Sequence, residues 1–168
     1  TTEKILDYDI AIDPLDECLD VICEWIDAGA QGRVFVCANP HSLVIARDDA
    51  DFREAILAAD LVTPDGAGIV LASKILCGNI RTRVTGSDVF AGLSRLLNAR
   101  TDRTFRYFFL GSTEETLAKI QEKMAVEFPH INVAGMYSPP FKEEFDVEAS
   151  RKMVDAVTLA RPDVLWVG

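Results

Sequence analysis

The sequence predicts an α/β fold, an open and mostly parallel sheet with helices on both faces, occupying residues 1–168 as a single domain. Three observations lead there. Short apolar runs alternate with segments of helical periodicity along the whole chain, the pattern of a sheet whose strands are joined by crossover helices. Asn39-Pro40 and Pro64-Asp65-Gly66 set a helix start directly after a strand-like run, as in Rossmann-like folds. A chain of 168 residues, 49% apolar, can bury about two thirds of its unfolded surface, so one core is expected.

Taken in order, Lys4 to Ile12 alternates apolar and polar residues and reads as a first strand, stopped by Pro14. Leu15, Cys18, Leu19, Ile22, Trp25 and Ile26 then fall on one helix face. Arg33 to Ala38 is a short apolar run of the kind buried on both faces in a parallel sheet. Asn39 supplies an N-cap and Pro40 a first helical position, and a further short helix runs from about Asp51 to Ala59. Leu61 to Thr63 is a brief strand, and Ala67 to Leu76 resumes helical spacing. Ser87 to Asn98 forms a helix with Val89, Phe90, Leu93, Leu96 and Leu97 inward. Phe105 to Leu110 is an aromatic strand, and Ser112 with Glu115 forms a capping box that opens a helix to about Phe128. Ile131 to Gly135, Val147 to Ala160 and Val164 to Gly168 complete the pattern as strand, helix and strand.

Composition removes several classes of function. A net charge of −10 gives no cationic surface on which to neutralise phosphates, so no nucleic-acid partner is expected. Charged residues interrupt every apolar stretch well short of the ~20 residues that a membrane span needs. Cys18, Cys23, Cys37 and Cys77 have no CxxC spacing and only His41 and His130 could join them, so neither a structural zinc nor any other metal or cofactor is expected. The cysteines read as buried, reduced thiols of a cytoplasmic protein. A dinucleotide-dependent dehydrogenase would need GxGxxG after the first strand, which this chain lacks.

In an open α/β sheet, ligands lie beyond the carboxyl ends of the strands, which directs attention to Cys37–His41, Thr63–Gly68 and Leu110–Ser112. Asp60 to Val70 (DLVTPDGAGIV) is the most informative stretch. A strand ends in Asp65, and Gly66 and Gly68 lead into a helix whose first amides suit a phosphate, while a carboxylate there can serve as a general base. The plain alternative is a turn and cap. Asp49-Ala50-Asp51 satisfies the DxD pattern of metal-dependent sugar transferases, but it lies between two predicted helices, where the carboxylates cap the second.

The ordered set of Cys37-Ala38-Asn39, Pro64 to Ser73 (PDGAGIVLAS), Arg83 to Asp88 (RVTGSD) and Leu110-Gly111 resembles the WecG/TagA/CpsF family of bacterial glycosyltransferases over nearly all of the chain. Cys37 stands where the family usually has threonine, so a thiol replaces a stronger donor. The resemblance implies an inverting transfer of a hexose, plausibly N-acetylmannosamine, from a UDP-sugar donor to a polyprenyl-diphosphate-linked amino sugar. Such a reaction serves cell-surface polysaccharide or teichoic acid synthesis. It implies Asp65 as general base, with Cys37, Asn39, Gly66, Gly68, Arg83 and Gly111 on the substrates and Arg83 on the donor pyrophosphate, the alternative for Arg83 being a surface salt bridge. In the family a further segment follows the strand at Val164–Gly168 and leads to a region of membrane contact, so the resemblance implies a truncated, weakly active or inactive chain. It would work at the inner face of the membrane, with homo-oligomerisation left open. A non-catalytic nucleotide-sugar-binding module of the same fold is the competing reading.

Overall fold

The computed structural model describes residues 1–142 and 144–168, and the chain forms two compact units, Thr1–Leu93 and Ser94–Gly168. The first contains β1 (Thr2–Ile5), β2 (Tyr8–Ala11), α1 (Leu15–Asp27), β3 (Phe35–Ala38), α2 (Pro40–Ile45), α3 (Ala50–Leu57), β4 (Leu61–Pro64) and α4 (Ala67–Ile75). Helix α5 (Gly86–Ala99) begins in the first unit and ends in the second, which continues with β5 (Arg106–Leu110), α6 (Glu114–Glu127), β6 (Asn132–Tyr137), α7 (Val147–Ala160) and β7 (Val164–Val167).

In the first unit β3 and β4 pair in parallel, with Cys37 opposite Thr63 and Ala38 opposite Pro64. The apolar run beneath them was legible as a strand because it is short and bounded by turn residues. The alternation from Lys4 to Ile12 is not one strand, however. It is an antiparallel hairpin, β1 with β2, in which Ile5 faces Tyr8 and only Leu6-Asp7 turns the chain. Leu6 takes φ 55° there, a left-handed conformation that a leucine side chain does not advertise. Strand β2 lies alongside β4 and sends Tyr8 and Ile10 into a core with Ala38, Leu43, Ile56, Val62, Ile69 and Ile80. The Glu3 carboxylate of β1 accepts hydrogen bonds from the backbone N–H groups of Asn79 and Ile80, which fastens the loop after α4.

Helix α1 buries Cys18, Leu19 and Ile22 as its periodicity predicts. Gly92 of α5 meets Leu19: a Cβ there would come within 2.6 Å of Leu19 Cδ1. Val89, Leu93 and Leu97 of α5 are buried as expected, whereas Leu96 points outward at 44% exposure. Helix α4 ends in a Schellman motif: Cys77 N–H reaches Lys74 O and Gly78 N–H reaches Ser73 O. The left-handed position of that motif holds Cys77 at φ 56°.

The second unit is a three-stranded parallel sheet in the order β6-β5-β7. Phe105, Tyr107, Phe108 and Phe109 are buried, and Tyr107 packs edge-on against Phe109 and Trp166. The buried Ser94 hydroxyl lies 3.3 Å from the Tyr107 hydroxyl. The capping box expected of Ser112 with Glu115 does not form among the described residues, and a simple N-cap stands one residue later. Gly111 and Ser112 both have positive φ, so the first extended residue is Thr113, whose hydroxyl accepts from Thr116 N–H. No disulfide joins the four cysteines among the described residues, with Cys18 buried, Cys23 and Cys37 half-buried and Cys77 exposed. Full burial of all four, expected from the sequence, is therefore incorrect.

Candidate functional site

The first unit gathers six of the seven residues singled out in the sequence: Cys37, Asn39, Asp65, Gly66, Gly68 and Arg83. Parallel register is what does so. Beyond the last paired residues, Ala38 and Pro64, the ladder makes one more bond, from Asp65 N–H to Ala38 O at 2.8 Å. Asn39 and Asp65 consequently leave the sheet at the same level.

Asn39 divides its side chain between two roles. Its Oδ1 accepts from Ser42 N–H at 2.9 Å, and the Ser42 hydroxyl returns to Asn39 N–H at 3.0 Å, a reciprocal capping box that starts α2 at Pro40. Its amide nitrogen makes no hydrogen bond among the described residues and stays available as a donor. The cap predicted from Asn39-Pro40 is therefore present, and it leaves the other end of the amide able to donate.

Gly66 has φ 89° and is the N-cap of α4 without any side-chain hydrogen bond to the helix amides. Those first N–H groups are the ordinary resource for holding an anion. Gly68 has another reason to be glycine, because a Cβ would stand 2.4 Å from Pro40 Cγ. The two helix starts, α2 and α4, touch at that point.

Thr63 and Asp88 belong to the same constellation, although the sequence did not single them out as site residues. Thr63 is fully buried and its hydroxyl donates to Val84 O at 3.0 Å, while Val84 N–H donates to Pro64 O at 2.8 Å. The end of β4 and the Arg83-Val84-Thr85 segment are thus tied by two bonds. Asp88 accepts from the Thr85 hydroxyl at 2.7 Å and from Thr85 N–H at 3.1 Å, and Asp88 N–H returns to the Thr85 hydroxyl. Those bonds, with the Arg83 charge, hold the Asp88 carboxyl below the usual carboxylate range. Arg83 is exposed and forms no ion pair among the described residues. The only signal for Asp88 was its place in the RVTGSD stretch, and for Thr63 there was none beyond its place at a strand end.

Cys37 lies at the floor of this group, its Sγ 3.6 Å from the Thr63 hydroxyl oxygen. Burial pushes the thiol pKa up, and the carboxylates of Asp65 and Asp88 add to the effect. The thiol stays protonated at neutral pH and offers a weak S–H donor, not a nucleophile.

Gly111 lies in the second unit, at the carboxyl end of β5. Its φ is 116°, its N–H donates to Tyr137 O, and a Cβ would fall 1.7 Å from Gly168 O. The Gly168 carbonyl and the Gly111 backbone border a small cavity of about 120 Å³ with Trp166 and Leu117. A larger cleft of about 710 Å³, near Arg100, Arg103 and His130, lies toward the amino ends of β5 and β6. Its two guanidiniums already pair with Asp102 and Asp163.

Asp49, the first carboxylate of the DxD-like stretch, accepts from Phe52 N–H at 2.9 Å and caps α3, as the sequence predicts. No cluster of three or more metal-binding side chains occurs among the described residues. Among the same residues, no helix is long and apolar enough to cross a membrane.

Comparison with known proteins adds a family to this geometry. A protein named N-acetylglucosaminyldiphosphoundecaprenol N-acetyl-beta-D-mannosaminyltransferase from Bacillus spizizenii is 29% identical over 137 residues, 82% of this chain and 50% of that protein. Its namesake from Bacillus subtilis is 27% identical over 136 residues, covering 81% of this chain and 50% of its own length. The chain thus spans about half the length of these curated relatives. The profile described as "Glycosyl transferase WecG/TagA/CpsF family" matches residues 3–168, so the chain belongs to the WecG/TagA/CpsF family of glycosyl transferases.

Proposed function

We propose that this protein transfers N-acetylmannosamine from a UDP-sugar to a polyprenyl-diphosphate-linked N-acetylglucosamine, at the cytoplasmic face of the membrane. The observation that carries the reading is the junction of β4 with α4, where Asp65 meets a helix start with no side-chain cap, in a chain whose relatives bear that enzyme's name.

In the proposed reaction the Asp65 carboxylate takes the proton of an acceptor hydroxyl, and that oxygen attacks the anomeric carbon. The bond from the anomeric carbon to the diphosphate breaks with its electrons, releasing UDP, and a single displacement inverts the anomeric centre. The β designation in the relatives' names fits inversion of an α-linked donor. Charge develops on the diphosphate, where Arg83 and the amides following Gly66 and Gly68 supply positive potential. A cationic side chain and a helix start together do the work that a divalent ion does in DxD enzymes, so the proposal includes no metal. Asn39 donates through its amide nitrogen and Cys37 borders the floor.

Initial rates of UDP release, with UDP-N-acetylmannosamine and a water-soluble acceptor analogue, test this. Turnover that depends on both substrates and disappears in Asp65→Asn supports it. Tight UDP-sugar binding without turnover in any acceptor would favour a binding module.

A further inference from the structure

Val84 is gripped from both sides. Its N–H reaches Pro64 O at 2.8 Å and its carbonyl receives the Thr63 hydroxyl at 3.0 Å. Thr63 and Pro64 are consecutive residues at the end of β4, and Asp65 is the next. Val84 and Thr63 are both essentially without solvent access, so water cannot substitute for either bond.

The hydroxyl has one proton, and two acceptors lie near it. Val84 O at 3.0 Å is within normal reach, while Cys37 Sγ at 3.6 Å is the poorer acceptor. The proton therefore lies chiefly toward Val84, and the sulfur is its weaker, second acceptor. The one hydroxyl thus faces both β3, at Cys37, and the loop that bears Arg83, at Val84.

We propose that Thr63 is a positioning residue for the donor site: its buried hydroxyl fixes the backbone immediately after Arg83 against the strand that ends in Asp65. The inference rests on the reading of Arg83 as the diphosphate contact. Among the described residues Arg83 itself has no ion pair to hold it, so its placement derives from the backbone of its neighbour. Without the hydroxyl, Val84 O loses its donor, the segment moves, and the guanidinium no longer meets the diphosphate in one geometry.

The test is a double-mutant cycle on UDP affinity, measured by titration calorimetry in the intact protein, with melting temperatures as the check on folding. Thr63→Val preserves shape and removes the hydroxyl, and should weaken UDP binding by about tenfold, the scale of one lost charge-assisted contact. Thr63→Ser should bind as the parent does. In an Arg83→Ala background the Thr63→Val change should have no further effect, because its influence passes through Arg83. Equal loss in both backgrounds, or no loss in either, overturns the positioning role. An Arg83→Ala variant that binds UDP normally overturns the underlying reading of Arg83 and with it this inference. Should Thr63→Val not fold, Thr63→Ala, which removes the same hydroxyl, takes its place in the same cycle with the same outcomes.

Discussion

Replacing Gly68 with alanine tests the most specific packing statement in the structure. The added Cβ stands 2.4 Å from Pro40 Cγ, whereas carbon atoms come to rest at about 3.5 Å or more. The shortfall is therefore about 1 Å, and a pyrrolidine ring can yield only slightly by changing its pucker. The first turn of α4 must back away from the start of α2, so the cost belongs to the overpacking range of about 1–3 kcal/mol. In a chain of this length that lowers the melting temperature by about 2–4 °C per kcal/mol. Asp65 and Gly66 precede the displaced turn and Asn39 precedes Pro40, so the two halves of the proposed site separate by a comparable distance. Turnover should fall about 100-fold, the usual consequence of a 1 Å misplacement. The assay is melting by circular dichroism together with UDP release on a soluble acceptor. Pro40→Ala removes the offending Cγ and leaves Cβ, which sits at an ordinary 3.6 Å, so the double variant should recover both quantities in large part. A Gly68→Ala protein indistinguishable from its parent, or a double variant no better than Gly68→Ala alone, would refute the argument.

Asp65→Asn should cost about 100- to 10,000-fold in turnover through loss of the base while UDP affinity stays within a few-fold, as calorimetry can check. Asp49→Ala should cost about 1 kcal/mol of stability through loss of the α3 cap and leave UDP-sugar binding unchanged in EDTA; binding that requires added manganese would contradict the assignment. Asp88 has a folded pKa below its unfolded value because of the Thr85 bonds and Arg83. Its stabilising contribution is complete above the unfolded pKa and is lost as pH falls through the lower, folded one. Asp88→Asn should thus flatten the acid limb of the melting-temperature profile, and an unchanged limb would count against it. Cys77→Gly relieves a left-handed β-carbon at the Schellman position and should stabilise by about 1 kcal/mol. The same change should abolish the fastest thiol labelling by Ellman's reagent, since Cys18 is buried and its pKa is pushed up to about 11.

What the residues disclosed in advance follows from the range of the interactions involved. Helices α1 and α7 and the Asn39-Pro40 start rest on contacts within a few positions, so periodicity and capping chemistry found them. The hairpin at Leu6-Asp7 was missed because its left-handed residue is a leucine, which carries no turn signal. The Thr113 cap was missed by one residue because Gly111 and Ser112 both have positive φ and delay the helix. Asp65, Gly66 and Arg83 were named from a motif. The tie that brings their backbones together joins residues 21 apart, Thr63 to Val84, and no local pattern encodes such a bond.

The split duty of Asn39 has a consequence for selectivity. With the oxygen committed to Ser42 N–H, the other end of the side chain offers only hydrogens, and a ligand group facing it in the proposed site must bring lone pairs. Exchange for aspartate should keep the helix start equally well capped and turn the other end of the group from a donor into an acceptor. At this one position the fold should tolerate both residues, whereas the proposed anionic ligand should accept only the amide. In the proposed site, folding and recognition would then lie on opposite ends of the same planar group, where they can be edited separately.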